Sequence, residues 1–110
     1  MSTSYITDQT PAGDFESVTV STTAIGCTST KIDISQTGGF HKRAVKILCT
    51  VEDASIRIRY DGTDPTASVG HLFSASDFFI IQGEQNISRL RMIRSGGTNG
   101  VVRITYFYNY

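Results

Sequence analysis

Two histidines, two cysteines and one acidic loop are the residues of this chain whose chemistry could reach beyond packing. His41 and His71 stand far apart, and neither lies at metal-ligand spacing from Cys27 or Cys49. A zinc centre needs four convergent nitrogen or sulfur ligands, usually in closely spaced pairs, so no metal and no cofactor is expected. No Gly-x-Ser-x-Gly elbow presents a serine nucleophile. Asp61-Gly62-Thr63-Asp64-Pro65-Thr66 places two carboxylates close together, as calcium would require, but lacks the further acidic ligands of an EF-hand loop. It reads as a turn: Asp61 accepts backbone hydrogen bonds, Gly62 takes positive φ and Pro65 stiffens the exit.

Arg57, Arg59, Arg89, Arg91, Arg94 and Arg103 are the next group. A basic stripe on one sheet face would meet phosphate; the alternative is a solvated face whose charges pair with Glu52, Asp53, Asp61, Asp77 and Glu84. Ten basic and ten acidic residues cancel, and tryptophan is absent. A neutral chain has no long-range field to gather nucleic acid or anionic lipid, so the paired face is favoured and neither partner is expected. No run approaches the ~18 apolar residues of a membrane span. The N-terminal residues have neither a basic start nor an apolar core, so a secretory leader is not read and synthesis in a reducing cytoplasm is expected. Cys27 and Cys49 are then free thiols, Cys49 acting as a small hydrophobe inside an apolar strand.

The elements that hold these residues are strands. In the run from Val45 to Val51 the odd positions Val45, Ile47, Cys49 and Val51 form one apolar face. Ile56, Ile58 and Tyr60 oppose Arg57 and Arg59. Period two with one dry and one wet face is the signature of an antiparallel sheet. The Glu52-Asp53-Ala54 link predicts a hairpin between these two strands. Further strands are expected at 15–20, 31–35, 77–82, 87–94 and 101–108, with a short one at 71–73. Ile87, Leu90, Arg91 and Arg94 also fit helical spacing, so a helix is an open alternative there. Asp77-Phe78-Phe79-Ile80-Ile81 is apolar on both faces, as in a strand between layers or one covered by a partner. Turns rich in glycine separate the strands and no repeat is present. At 110 residues this describes one all-β domain, a single-domain antiparallel β-sandwich or jelly roll over residues 14–110, preceded by a polar arm at 1–13.

The C-terminal strand carries more aromatic surface than a thin core needs. Val102, Ile104, Tyr106 and Tyr108 form one face, Phe107 lies on the other, and Tyr110 follows. Tyrosine combines large buried area with a polar tip and is enriched at interfaces. Phe40, Tyr106, Phe107, Tyr108 and Tyr110 are therefore candidate interface residues, joined by Tyr5 and Ile6 if the arm orders against a neighbour.

The block Ile58-Arg59-Tyr60-Asp61-Gly62-Thr63-Asp64-Pro65-Thr66-Ala67-Ser68-Val69-Gly70-His71-Leu72 resembles a segment of small β-rich virion proteins of tailed bacteriophages. Ile87 to Arg94 and Val102 to Phe107 follow the same general pattern, so the resemblance spans roughly residues 43 to 108. In size and strand pattern the chain is similar to capsid decoration, or cementing, proteins. That resemblance implies a structural protein rather than an enzyme, on the outer surface of the head, with the major capsid protein and other copies of itself (dimer or trimer) as partners. It transfers no binding residue. Similar Tyr-Asp-Gly-Thr turns occur in immunoglobulin-like modules of glycoside hydrolases. A carbohydrate-binding or host-attachment module, with Tyr60 and Tyr108 as sugar platforms, stays open, as does a tail or neck component.

Overall fold

The computed structural model describes residues 11–109. The strands are β1 (Ala12–Val20), β2 (Asp33–Ser35), β3 (His41–Glu52), β4 (Ile56–Arg59), β5 (His71–Phe73), β6 (Phe78–Gln82), β7 (Arg91–Arg94) and β8 (Gly100–Asn109), with short helices α1 (Ser29–Ile32) and α2 (Glu84–Arg89). They form two antiparallel sheets. In the larger, β1 pairs with β8 and β8 with β3; β3 then pairs with β2 through its first residues and with β6 through its later ones. The smaller sheet runs β5-β4-β7. One core lies between them, built from Ile47, Cys49, Val51, Val102 and Ile104 of the larger sheet and Ile56, Ile58 and Met92 of the smaller. The fold is thus an all-β antiparallel sandwich. The first strand already contains Ala12 and Gly13, which composition assigned to the arm; residues 1–10, with Tyr5 and Ile6, and Tyr110 lie outside the described residues.

Alternation predicts most inward positions, and the exceptions have local causes. Val45 was expected on the dry face, but the register of β3 against β8 shifts between Ala44 and Lys46. A bulge adds one residue and reverses the faces on one side of it, so Ala44 is buried and Val45 is only half-buried. The predicted hairpin at 52–54 does not form. β3 and β4 belong to different sheets, and the link is a corner in which Asp53 adopts φ 72° and the Ala54 N–H donates to the Glu52 carbonyl at 2.9 Å. Burying Val51 and Ile56 in one core is compatible with either arrangement, and sequence alternation alone does not separate them. The ambiguous 87–94 segment contains both readings: α2 ends at Arg89, and β7 begins at Arg91. The expected 31–35 strand keeps only Asp33–Ser35, its first two residues ending α1.

Strands of three or four residues cannot cover partners of nine to twelve. The uncovered part of the core face is closed by the segment containing α1 and by α2, which packs on β3 and buries Ile87. At the opposite end, the corner is so tight that a Cβ on Gly100 would stand 2.7 Å from Ile56 Cγ2 and 2.9 Å from the Ala54 carbonyl oxygen. A backbone contact of this kind yields little. Gly100→Ala is therefore expected to cost about 1–3 kcal/mol, read as a lower urea midpoint with an unchanged m-value.

Candidate functional site

Three places could carry function: the polar network under α1, the arginine-pinned loop before β5, and the outer face of the larger sheet.

The network closes the core. Tyr106 and Tyr108 are fully buried, their rings stacked with centroids 6.2 Å apart. The Tyr106 hydroxyl donates to Glu16, whose carboxylate also accepts from Thr28 Oγ1 at 2.6 Å and from the Thr28 N–H at 3.2 Å. The Tyr108 hydroxyl donates to the Lys31 carbonyl at 2.6 Å, and Lys31 Nζ lies 2.9 Å from Asp14. A Cβ on Gly13 would meet the Tyr108 ring at 2.6 Å, so the register shift between Ala12 and Asp14 needs glycine beside it. Burial, reinforced by donation to Glu16, holds the Tyr106 phenol well above its ordinary range, so it remains a donor. A shallow depression of about 630 Å³ opens beside this network, lined among others by Cys27, Asp33, Arg43, Glu84 and Ser88.

The chemistry available there is limited. Both cysteines are free. Burial pushes the Cys27 thiol up to about 11 and Cys49 further still, the reverse of an activated nucleophile. His41 Nδ1 lies 2.7 Å from Asp33 Oδ1, and His71 stacks beside Tyr60. Among the described residues no hydroxyl or thiol hydrogen-bonds to either ring, and no group of three or more His, Cys, Asp or Glu could hold a metal ion.

The arginines do not form one stripe. Arg59 and Arg91 are cross-strand neighbours on the outer face of the smaller sheet. Arg57 donates to the Ala67 carbonyl at 3.0 Å and to the Gly70 carbonyl at 2.9 Å. Arg59 grips Asp61 through two bonds of 3.1 and 2.6 Å, and Arg91 lies 3.8 Å from Asp64. The Arg59 guanidinium accordingly holds the Asp61 carboxyl below its usual range. The acidic loop is a turn stapled back onto its own sheet, with Asp61 accepting from the Thr63 N–H. Arg103 instead sits on the larger sheet, paired with Glu52 and donating to Ser17 at 2.7 Å. Partners for the arginines come mainly from loops, not from facing strand residues.

The outer face of the larger sheet differs from all of this. Its registers place Phe15 opposite Thr105, Thr105 opposite Leu48, and Leu48 opposite Ile80. These four residues form one row across β1, β8, β3 and β6, about 14 Å wide at ordinary strand spacing. Phe78 adjoins Ile80 on the same face. Phe15 is 53% exposed, and Phe78 and Ile80 are each 50% exposed. Flanking positions are Ser17, Arg103 and Thr50 on one side and Lys46 and Phe107 on the other. Phe107 is buried outside the main core, with the Lys46 ammonium 4.3 Å from its ring centroid. This is an apolar centre with a polar rim.

Of the residues singled out from sequence, Tyr106 and Tyr108 are core, not surface: alternation gave their common face, but only packing shows that the chain itself fills it. That removes Tyr108 as a sugar platform, while Tyr60 is exposed beside His71. Phe40 is 72% exposed, away from the apolar row, on the turn between β2 and β3. Phe15 and Leu48 were missed. The sequence signal lay in the doubly apolar Phe78–Ile81 run, whose inward pair Phe79 and Ile81 is buried and whose outward pair is bare. Comparison with family models, curated proteins and solved structures finds no match to this chain.

Two outcomes follow from the network. Lys31 first, then the Phe15 N–H, depress the Asp14 carboxyl below 3.8. A carboxylate with a lowered folded pKa stabilises fully above 3.8 and loses that contribution as pH falls below it. Asp14→Asn should remove this part of the acid limb in denaturation curves below about pH 4, an effect held under about 1 kcal/mol by solvent screening. At pH 8 buried Cys49 should not react with a disulfide reagent in the native protein and half-buried Cys27 should react slowly, while both should react at once in urea.

Proposed function

We propose that this protein is a non-catalytic assembly protein, a capsid decoration protein that docks on the outside of a bacteriophage head and stabilises contacts between major capsid subunits. The observation that carries the docking part is the row Phe15–Thr105–Leu48–Ile80 with Phe78 beside it, exposed at Phe15, Phe78 and Ile80 and half-buried at Thr105 and Leu48. Monomeric proteins seldom leave large aromatic and branched side chains contiguous and bare unless the patch is used. The virion assignment rests on the sequence resemblance at residues 43 to 108.

The physical properties suit that work. The row lies on regular strands, so its shape is set before binding and little ordering entropy is lost on docking. Arg103, Glu52 and Lys46 border it with charge, which gives orientation more than affinity. Each contact is small, but repetition over a lattice raises the effective concentration of every further contact.

The test is decoration of purified heads that lack this protein. The native chain should bind them at saturating stoichiometry and raise the temperature at which they lose their DNA or collapse. The Phe15→Ser, Ile80→Ser double variant loses two half-exposed apolar groups and should bind about 10-fold or more weakly, while its melting temperature as a free chain stays near native. Equal binding by the double variant would remove the outer face from the reading. No binding by the native chain would remove the capsid itself.

A further inference from the structure

The apolar row ends at β6, and β6 ends the sheet. On one side β6 is fully paired to β3: the Val51 N–H donates to the Asp77 carbonyl at 2.9 Å, and the Gly83 N–H donates to the Val45 carbonyl at 2.9 Å. With Cys49 opposite Phe79 and Ile47 opposite Ile81, residues 79 and 81, together with the Asp77 carbonyl and the Gly83 N–H, turn their backbone groups toward β3. Antiparallel geometry alternates these directions, so Phe78, Ile80 and Gln82 turn theirs outward. Among the described residues no other strand pairs with this edge. The Gln82 carbonyl accepts from Asn86 Nδ2 at 3.0 Å, and its second lone pair is free to accept another donor.

Edges of this kind are normally blunted by charge, proline, a bulge or a covering segment. Phe78-Phe79-Ile80-Ile81-Gln82 has no charged residue and no proline, and its register against β3 is unbroken. The outward groups also fit a copy of themselves. If two β6 strands meet antiparallel about a twofold axis at Ile80, Ile80 faces its symmetry mate and Phe78 faces Gln82 of the other chain. All three pairs then fall at hydrogen-bonding positions, which uses every outward N–H and C=O. Centring the axis on Phe79 or Ile81 leaves one outward residue of each chain without a mate. Directly opposed residues share a face, so both Ile80 and both Phe78 side chains emerge on the same side. The apolar rows of the two copies then join into one.

We infer that β6 is a self-association edge, through which two copies of this chain form a symmetric dimer with a continuous sheet and a single apolar outer face. The occupant of the edge is a second copy because the register is self-complementary. A short strand buries less than the ~1,000 Å² of a stable interface, so the dimer is weak, with a dissociation constant on the order of 100 μM. The inference stands apart from the capsid reading, since the purified chain in buffer tests it.

Sedimentation equilibrium of the full chain up to about 1 mM should show mass rising toward twice the 12.0 kDa of one chain. Ile80→Lys places like charges at the axis and should weaken the dimer at least about 10-fold with no change in melting temperature. Register is read by cross-linking. A hydrogen-bonded antiparallel pair sets its Cα atoms about 5.5 Å apart, within disulfide range. Ile80→Cys should therefore oxidise to a covalent dimer, whereas Phe78→Cys and Gln82→Cys should cross-link to each other only when mixed. These positions are solvent-exposed, so folding is checked by the melt of each reduced variant. A monomer at every concentration together with no Ile80→Cys dimer overturns the inference. So does cross-linking of Phe78→Cys alone as fast as Ile80→Cys, which would mark another register or random collision.

Discussion

Tyr106 and Tyr108 solve the main packing problem of this molecule. The strands of the smaller sheet are too short to cover the inner face of the larger one, and part of that face must be closed by irregular chain. An irregular segment brings backbone polar groups with it, and burying those without partners costs free energy. The two tyrosines meet the requirement from below. Their rings fill the gap as hydrophobes, and their hydroxyls hold Glu16 and the Lys31 carbonyl. Glu16 then secures Thr28, and Asp14 secures Lys31. The segment that closes the core is thus tied to β1 and β8, and no buried side-chain polar atom among the described residues lacks a partner.

That solution leaves the larger sheet with one used face. A chain of this size has a single core, and everything apolar on the other face of β1, β3, β6 and β8 stays outside it. Arg103, Glu52, Ser17 and Thr50 make part of that face ordinary solvated sheet. The row from Phe15 to Ile80 does not belong to that pattern, and it runs to the β6 edge, which carries no charge or proline and pairs with no further strand among the described residues. Face and edge together are the two surfaces that the proposed docking and self-pairing would use. The charged side chains of the smaller sheet do the opposite work: Arg57, Arg59 and Arg91 fold the loop before β5 back on itself, which uses their charge within the chain.

Much of this was legible in residue order. Alternation in Ile56–Arg59 and in Val101–Tyr108 gives strands with correct inward faces because side-chain direction in a strand depends only on parity. The turn reading of Asp61 to Thr66 was equally local, an Asx-turn whose donors lie within two residues. The double apolarity of Phe78 to Ile81 pointed to surface that folding leaves uncovered. Each of these depends on near neighbours in the chain.

What tertiary structure decided depends on distant ones. The bulge at Val45 reverses the dry face of β3 because β8, not the local sequence, sets the register. The corner at Asp53 sends β4 to the other sheet, a choice between two arrangements that bury the same residues. Tyr106 and Tyr108 look like interface rings in sequence and are core in the fold, since their partners Glu16 and Lys31 lie many residues away. Phe15, Leu48 and Ile80 become one surface only when three separate strand pairings line them up. Composition and alternation determined an antiparallel β domain with apolar surface to spare; long-range register alone determined where that surface lies, because parity fixes a side chain's face and only pairing fixes its neighbours.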